Sequence, residues 1–479
     1  MNSMEKEVAN RIDKAVVQAD TTKKVIIGTG VITQVPVIFK ECFKDADVVI
    51  VADKNTFKAA GNYVMEAFMA FGKKNIIKPL ILEDPDLYAE YRFVEKVEKY
   101  LKTNNAIPIA VGSGTINDLV KIASHLCGRN YMVVATAASM DGYTAFGASI
   151  TKDCLKQTLS CPAPIAVVAD VDVIQNAPAG MNSWGYSDLI AKIPAGADWI
   201  IADALGIETI DPKSWSIVQS ELRNWISNPK GIKNNDKDAL IKLIEGLIMS
   251  GLGMQASQSS RPASGAEHQF SHLWDGDHHT HNGTAPAHGV KVGIGSISIE
   301  ALYENILKLS QDSIQSDIAA IKTWWPEWKT IVKMINDRFK NPILASQVIE
   351  QSKAKYLRVE KLSERFQLLV SVWPSLQVKL KKQLLGADKM QEMIREAGAA
   401  SLPTEIGIDY KLLQNSFRHS QLIRKRYTVL DLTLEMGVWR ECVGTLFSEH
   451  GFWGRNMPKD SKIKTIDTKA DKKTTYQKA

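Results

Sequence analysis

Six short apolar runs rich in β-branched residues fall within the first 205 residues, and the pattern stops there. They are Lys24–Gly28 (KVIIG), Asp47–Ala52 (DVVIVA), Ile76–Leu82 (IIKPLIL), Ile107–Gly112 (IPIAVG), Tyr131–Ala135 (YMVVA) and Ala166–Asp170 (AVVAD). Most are apolar nearly throughout, the pattern of strands covered on both faces. Helix-like stretches separate them, including Thr56–Phe71, Leu87–Lys102 and Thr115–Leu126. Strands alternating with helices predict a mostly parallel sheet flanked by helices, an α/β Rossmann-like domain over 1–205. From Gly206 long amphipathic patterns take over, among them Asp238–Leu252, Ala287–Gln311 and Ser363–Leu384. Residues 206–450 therefore read as an all-α domain. Within it, 319–400 is rich in Trp, Lys and Glu, with Pro326, Pro342 and Pro374 as punctuation, and reads as extra helical material.

Charge and cysteine usage exclude several classes. The 479 residues carry a net +6, but Gly451–Ala479 holds eight Lys or Arg against three Asp. The remainder is almost neutral and lacks the basic excess of a nucleic-acid-binding domain. The 451–479 segment itself reads as a disordered basic tail. No apolar run approaches the roughly 18 residues of a membrane span. The start, MNSMEKEVANRIDK, is charged and lacks the apolar core of a signal peptide. Cys42, Cys127, Cys154, Cys161 and Cys442 are odd in number and form no CxxC pair. A reducing compartment fits this usage, so a cytoplasmic location is expected.

Histidine distribution carries the strongest chemical signal. Six of nine histidines lie in one stretch: His268, His272, His278, His279, His281 and His288. His268 and His272 are four apart and share a face of any helix that carries them. His288 opens the next helical pattern. Two helices meeting at a cleft would join His268 to His288, and two imidazoles with one carboxylate make a divalent-metal site open to substrate. The aperiodic DGDHHTH stretch reads instead as a solvated loop, which takes His278, His279 and His281 out of the site.

Three further segments, and the strand end at Asp53, bear on ligands. In AVGSGTINDLVKIA a strand ends at Gly112, and Ser113, Gly114, Thr115 and Ile116 turn directly into a helix. Small residues there let backbone N–H groups approach an anion such as a dinucleotide pyrophosphate. No GxGxxG fingerprint is present, and alone this turn is a weak signal. In VVATAASMDGYTAFGAS a strand end is followed by Thr136, Ser139 and Asp141, at the position where α/β ligands bind. Asp53 ends another strand, where it serves either a ribose or the cap of the next helix. Asp188, inside an otherwise small and apolar helical segment, needs a cation. A metal would supply one, and so would Lys192 four residues on.

Together, in this order, the four segments resemble the sn-glycerol-1-phosphate dehydrogenases, within the dehydroquinate synthase-like and iron-type alcohol dehydrogenase group. The likeness runs from Lys24 to Gly295 and returns at Ile423–Leu432 (IRKRYTVLDL), similar to that family's closing helix. SRPASGAEHQFSH is its most specific part. By position, the resemblance implies Asp188, His268 and His288 as metal ligands. It implies Asp141, His272 and Asp188 as substrate contacts, with Asp188 and His272 also catalytic. Asp53, Gly112–Ile116, Thr136 and Ser139 would contact the nicotinamide cofactor. One departure is Ala145, where family members often carry Ser.

The resemblance further implies reversible reduction of dihydroxyacetone phosphate to sn-glycerol 1-phosphate with NADH or NADPH. Asp53 should disfavour a 2′-phosphate, although Lys54 lies beside it. The ligand set suits Zn²⁺, Ni²⁺ or Fe²⁺. Arg261 is a candidate for the substrate phosphate by charge and proximity, and a homodimer is expected. A polyol or glycerol dehydrogenase, a dehydroquinate synthase-type lyase and a non-catalytic scaffold remain as rivals, because function lives in the site and not in the fold.

Overall fold

A computed structural model of the chain describes residues 3–152, 155–178, 180–314 and 316–458. The chain forms two compact units: Met1–Lys192 with Asp211–Ala263 and Ile394–Ala399, and Ile193–Ile210 with Ser264–Met393 and Ala400–Ala479.

The first unit is built on a six-stranded sheet. Its strands are β1 (Lys24–Gly28), β2 (Val48–Asp53), β3 (Ile76–Leu82), β4 (Ile107–Gly112), β5 (Met132–Ala135) and β8 (Ala166–Asp170). All neighbours pair parallel, in the order β1-β8-β5-β4-β2-β3. All six apolar runs became these strands. β2, β4, β5 and β8 are buried almost throughout, as central strands covered on both faces must be. β3 carries Pro79 and lies at the sheet edge, where a missing N–H costs least. Chain order reverses between β2 and β4: β3 lies outside β2, and the chain then returns to the other side. The carboxyl ends there, Asp53 and Gly112, therefore border the crevice where open α/β sheets bind ligands.

A two-stranded hairpin, β6 (Ala148–Lys152) and β7 (Leu155–Leu159), was not anticipated. Its strands are as long as β1 and β8, five residues each, but too polar to stand out against the six core strands. Beyond the sheet, residues 211–263 are helical but pack with it. The helix Lys237–Ser257 explains why: a Cβ on Gly251 would stand 2.2 Å from Thr144 Oγ1. Thr144 in turn donates to Ile248 O at 2.7 Å. The loop after β5 thus lies directly on a glycine-lined helix face. Among the described residues, this is the one helix long and apolar enough to cross a membrane, and it is mostly buried within the protein.

The second unit contains helices. Ala266–Gly276 and His288–Ile306 cross closely, because a Cβ on Gly295 would fall 2.5 Å from Glu267 O. Asp198, fully buried, accepts from Ala266 N (2.7 Å), Val429 N (2.8 Å) and Tyr303 OH (2.6 Å). One carboxylate therefore receives the first N–H of two helices.

Three expectations need correction here. Pro374 does not punctuate; it lies inside the helix Val359–Gln383. Its missing N–H would leave Val370 O without an intrahelical donor, and Gln311 Nε2 supplies one at 2.8 Å. The segment Ile423–Leu432 is not one helix. The helix Tyr410–Leu422 ends, a non-helical connector follows, and a new helix starts at Val429 behind a Thr428–Asp431 capping box. The tail is packed at its start: Trp453 is fully buried against Tyr410, whose hydroxyl donates to Asn456 O at 2.7 Å. The basic residues from Lys459 onward lie outside the described residues.

Candidate functional site

In the first unit, two carboxylates converge on one lysine. Asp188 and Lys192 are both fully buried. Lys192 Nζ lies 2.8 Å from Asp188 Oδ1, 2.8 Å from Asp188 O and 2.8 Å from Asp141 Oδ2. Its three donors are thereby used. Asp141 N donates to Asp188 Oδ2 at 3.1 Å, and Ser250 Oγ to Asp141 Oδ2 at 2.8 Å. Burial opposes the lysine's charge, but Asp141 and Asp188 outweigh it and hold the ammonium above its ordinary range. The plainer of the two readings of Asp188, a bridge to Lys192, is thus present. It does not exhaust the carboxylate, which has about four lone-pair sites. Lys192 was read only as that partner; its bridge to Asp141 was missed. Lys121, also buried, donates to Gly142 O, Ala145 O and Gly147 O and braces the same loop through its backbone. Burial lowers its pKa.

The Gly112 turn has the form expected of it. A Cβ at Gly112 would stand 2.5 Å from Ile116 Cβ, and one at Gly114 would stand 3.2 Å from Met140 Cγ. Ser113 precedes the helix Gly114–Leu126 without capping it by its side chain. The first-turn N–H groups thus receive no cap from Ser113. Thr136 is buried beside this strand end, its N–H bonded to Gly112 O at 3.2 Å, and Ser139 is half-buried. Asp53 does cap: its Oδ1 accepts from Asn55 N and Thr56 N at 2.8 and 3.0 Å. Its Oδ2 takes no hydrogen bond among the described residues. Arg261 is 1% exposed, buried in this unit. Ala145 is buried too, with its carbonyl given to Lys121.

In the second unit, the histidines separate as expected. His268, His272 and His288 cluster, with ring centroids 5.3 Å apart for His268–His288, 6.4 Å for His268–His272 and 6.2 Å for His272–His288. His278 is exposed, while His279 reaches Ile406 O and His281 pairs with Thr284 in a turn. Glu267, which sequence reasoning passed over, is fully buried and lies 2.8 Å from His268 Nδ1. A carboxylate can only accept there, so His268 carries its proton on Nδ1 and its lone pair on Nε2. Ser271 Oγ lies 3.2 Å from His288 Nδ1 and can fix the same tautomer. Two imidazoles presenting Nε2 lone pairs, one oriented by a carboxylate, are what a divalent cation of the Zn²⁺ type takes. Arg424 was also passed over, although it stands in the quoted IRKRY run. Its Nη2 lies 2.9 Å from His272 Nε2.

An open parallel sheet beside a paired-imidazole donor set fits more than one class of enzyme, and comparisons narrow it. The iron-containing alcohol dehydrogenase family matches residues 26–178. The glycerol-1-phosphate dehydrogenase [NAD(P)+] of Halalkalibacterium halodurans is 34% identical over 273 residues, 56% of this chain and 68% of that one. The Bacillus subtilis protein of the same name is 30% identical over 393 residues, 81% and 85% of the two chains. That of Pyrococcus furiosus is 31% identical over 282 residues, 59% and 78%. The chain belongs to the glycerol-1-phosphate dehydrogenase family. Among solved structures, NADH-dependent butanol dehydrogenase A from Thermotoga maritima superposes with a TM-score of 0.55 at 13% identity, covering 88% of this chain and 97% of that one. A glycerol dehydrogenase from Schizosaccharomyces pombe gives 0.50 at 17% identity, covering 76% and 93%. These two share the fold.

Proposed function

We propose that this protein reduces dihydroxyacetone phosphate to sn-glycerol 1-phosphate, reversibly, with NADH or NADPH and one divalent cation. Family membership supports the reaction. The observation that carries the site is the His268–His288 pair, 5.3 Å apart, with Glu267 fixing the first imidazole. Asp188, His268 and His288, the ligands that the family resemblance implies, would hold the cation. When bound, the nicotinamide supplies the hydride and the cation polarises the C2 carbonyl. The chain's residues do the rest. The Ser113–Ile116 turn receives the pyrophosphate, with Gly112 keeping the approach open and Thr136 and Ser139 lining the adjacent strand end. Asp53 receives a ribose hydroxyl on Oδ2. Lys192 and the Asp141 N–H hold the Asp188 carboxylate in place through its two oxygens. His272 hydrogen-bonds the substrate and relays a proton from solvent to the C2 oxygen. The protein acts as a cytoplasmic homodimer, and the cation is Zn²⁺, Ni²⁺ or Fe²⁺.

The test is NADH or NADPH oxidation with dihydroxyacetone phosphate on metal-stripped protein, with each cation restored, followed by assignment of product chirality. Cation-dependent oxidation giving only the sn-1 enantiomer is expected. Turnover of glycerol but not the phosphate ester would replace this reading with a polyol dehydrogenase. Glu267→Gln bears on the same site. It leaves the fold in place and weakens cation affinity by about 10–100-fold, the usual cost of losing a ligand's orienting partner. Chelator competition measures it, and unchanged affinity would mean that Glu267 does not orient His268.

A further inference from the structure

Three arginines of the second unit have carboxylate partners. Arg338 pairs with Asp277, Arg365 with Glu435 and Arg455 with Asp388. Among the described residues Arg424 has no carboxylate partner, and its one hydrogen-bond contact is His272 Nε2. A guanidinium cannot accept, so His272 receives that bond on its lone pair. Burial without a counter-charge lowers Arg424 from its ordinary pKa. A cation in this state is costly unless an anion completes it.

The connector that carries Arg424 is held by the additional helical segment. Gln351 Oε1 accepts from Lys425 N at 3.0 Å, and Ser352 Oγ donates to Leu422 O at 3.0 Å. Lys355 donates to Gln421 O and pairs with Asp431 at 2.7 Å. Arg365 and Tyr427 both reach the buried Glu435 just beyond. The end of the helix Pro342–Lys353 thus grips the connector on both sides of Arg424. Arg426 Nη1 meanwhile donates to Ser264 O, tying the connector to the start of the His268 helix. A residue this firmly placed, beside a proposed substrate histidine and lacking its own counter-ion, is preorganised for a ligand.

We propose that Arg424 receives the phosphate of the substrate and so selects phosphorylated trioses over free polyols, with Gln351, Ser352 and Lys355 as its positioning residues. The inference rests on the function proposed above. A guanidinium offers two parallel N–H groups to a phosphate. An Arg424 engaged with phosphate also releases His272 Nε2 to the substrate oxygen.

The test compares wild type with Arg424→Leu, Arg424→Lys and Arg261→Leu as cation-loaded protein. Calorimetry measures binding of sn-glycerol 1-phosphate, inorganic phosphate, NADH and NADPH, and steady-state assays give kcat and KM. Arg424→Leu should raise the dissociation constant for sn-glycerol 1-phosphate and the KM for dihydroxyacetone phosphate by about 30-fold or more, the scale of a lost charge-assisted hydrogen bond. It should abolish phosphate binding and leave both dinucleotides within about twofold, while Arg424→Lys recovers part of the loss. Unchanged phosphate-ester binding in Arg424→Leu, or the loss appearing in Arg261→Leu instead, overturns the proposal. A loss confined to NADPH overturns it as well, since the anion would then be the cofactor's. If Arg424→Leu does not fold, Arg424→Lys with wild-type affinity for phosphate and ester overturns it, and a selective loss supports it. If wild type binds phosphate through Arg424 but reduces no dihydroxyacetone phosphate, the anion site stands and the proposed reaction falls.

Discussion

His268→Ala should lower the rate of dihydroxyacetone phosphate reduction by about 10³-fold or more and release the cation. His268 is buried, and its Nδ1 is committed to Glu267, so Nε2 is the atom it gives to the site. Truncation reduces the proposed ligand set from three to two, below the number that catalytic sites of this kind use. A Lewis acid contributes several kcal/mol to the transition state, and about 4 kcal/mol corresponds to 10³ in rate. The comparison with His272→Ala sharpens the expectation. His272 is assigned to substrate, so its loss should lower kcat while cation content stays at the wild-type level. His279→Ala should change neither, because that ring is engaged with Ile406 O. Metal content by mass spectrometry and turnover, measured on the same preparations, separate the three. A His268→Ala protein that retains its cation and its rate would remove His268 from the site.

Strand positions were legible because four of the six runs must be hydrophobic on both faces, and little else in a sequence produces that. The histidine partition was legible for a related reason: His268 and His272 sit at helical spacing, whereas His278–His281 do not. What escaped was the set of charges that support the site. Asp198 and Lys192 stand among small or apolar residues, the same signal that drew attention to Asp188, whereas Glu267 is masked by the polar His268 and Gln269 that follow it. A buried charge announces that it has a partner, but not which one. Asp198 finds Ala266, Tyr303 and Val429 far along the chain, and no spacing rule reaches them. Pro374 failed as a stop signal for a similar reason, since Gln311, 63 positions earlier, satisfies the carbonyl that proline leaves open. The strand-to-helix change near residue 205 marks a change of secondary structure. Compactness instead follows the glycine face of Lys237–Ser257, which keeps 211–263 with the sheet.

Lys192→Met should destabilise the protein by about 3–5 kcal/mol at neutral pH, the range for breaking a buried ion pair from one side. The lysine is fully buried, its three donors go to Asp188 O, Asp188 Oδ1 and Asp141 Oδ2, and its removal leaves two carboxylates facing each other. The pH dependence has a definite sign. Asp141 and Asp188 raise the folded-state pKa of Lys192 above the unfolded value of about 10.5. Its contribution is therefore complete below that value and is lost as pH rises through the higher folded value. Urea unfolding of wild type and Lys192→Met should consequently differ by a constant amount across neutral pH and converge only in strong alkali. Adding Asp188→Asn to Lys192→Met removes one uncompensated charge and should recover part of the loss, giving a coupling of about 1–3 kcal/mol in the double-mutant cycle. Equal stability of Lys192→Met and wild type would show that desolvation cancels the pairing. Lys192 would then matter only for holding the Asp188 carboxylate in place, and the variant would lose cation affinity without losing stability.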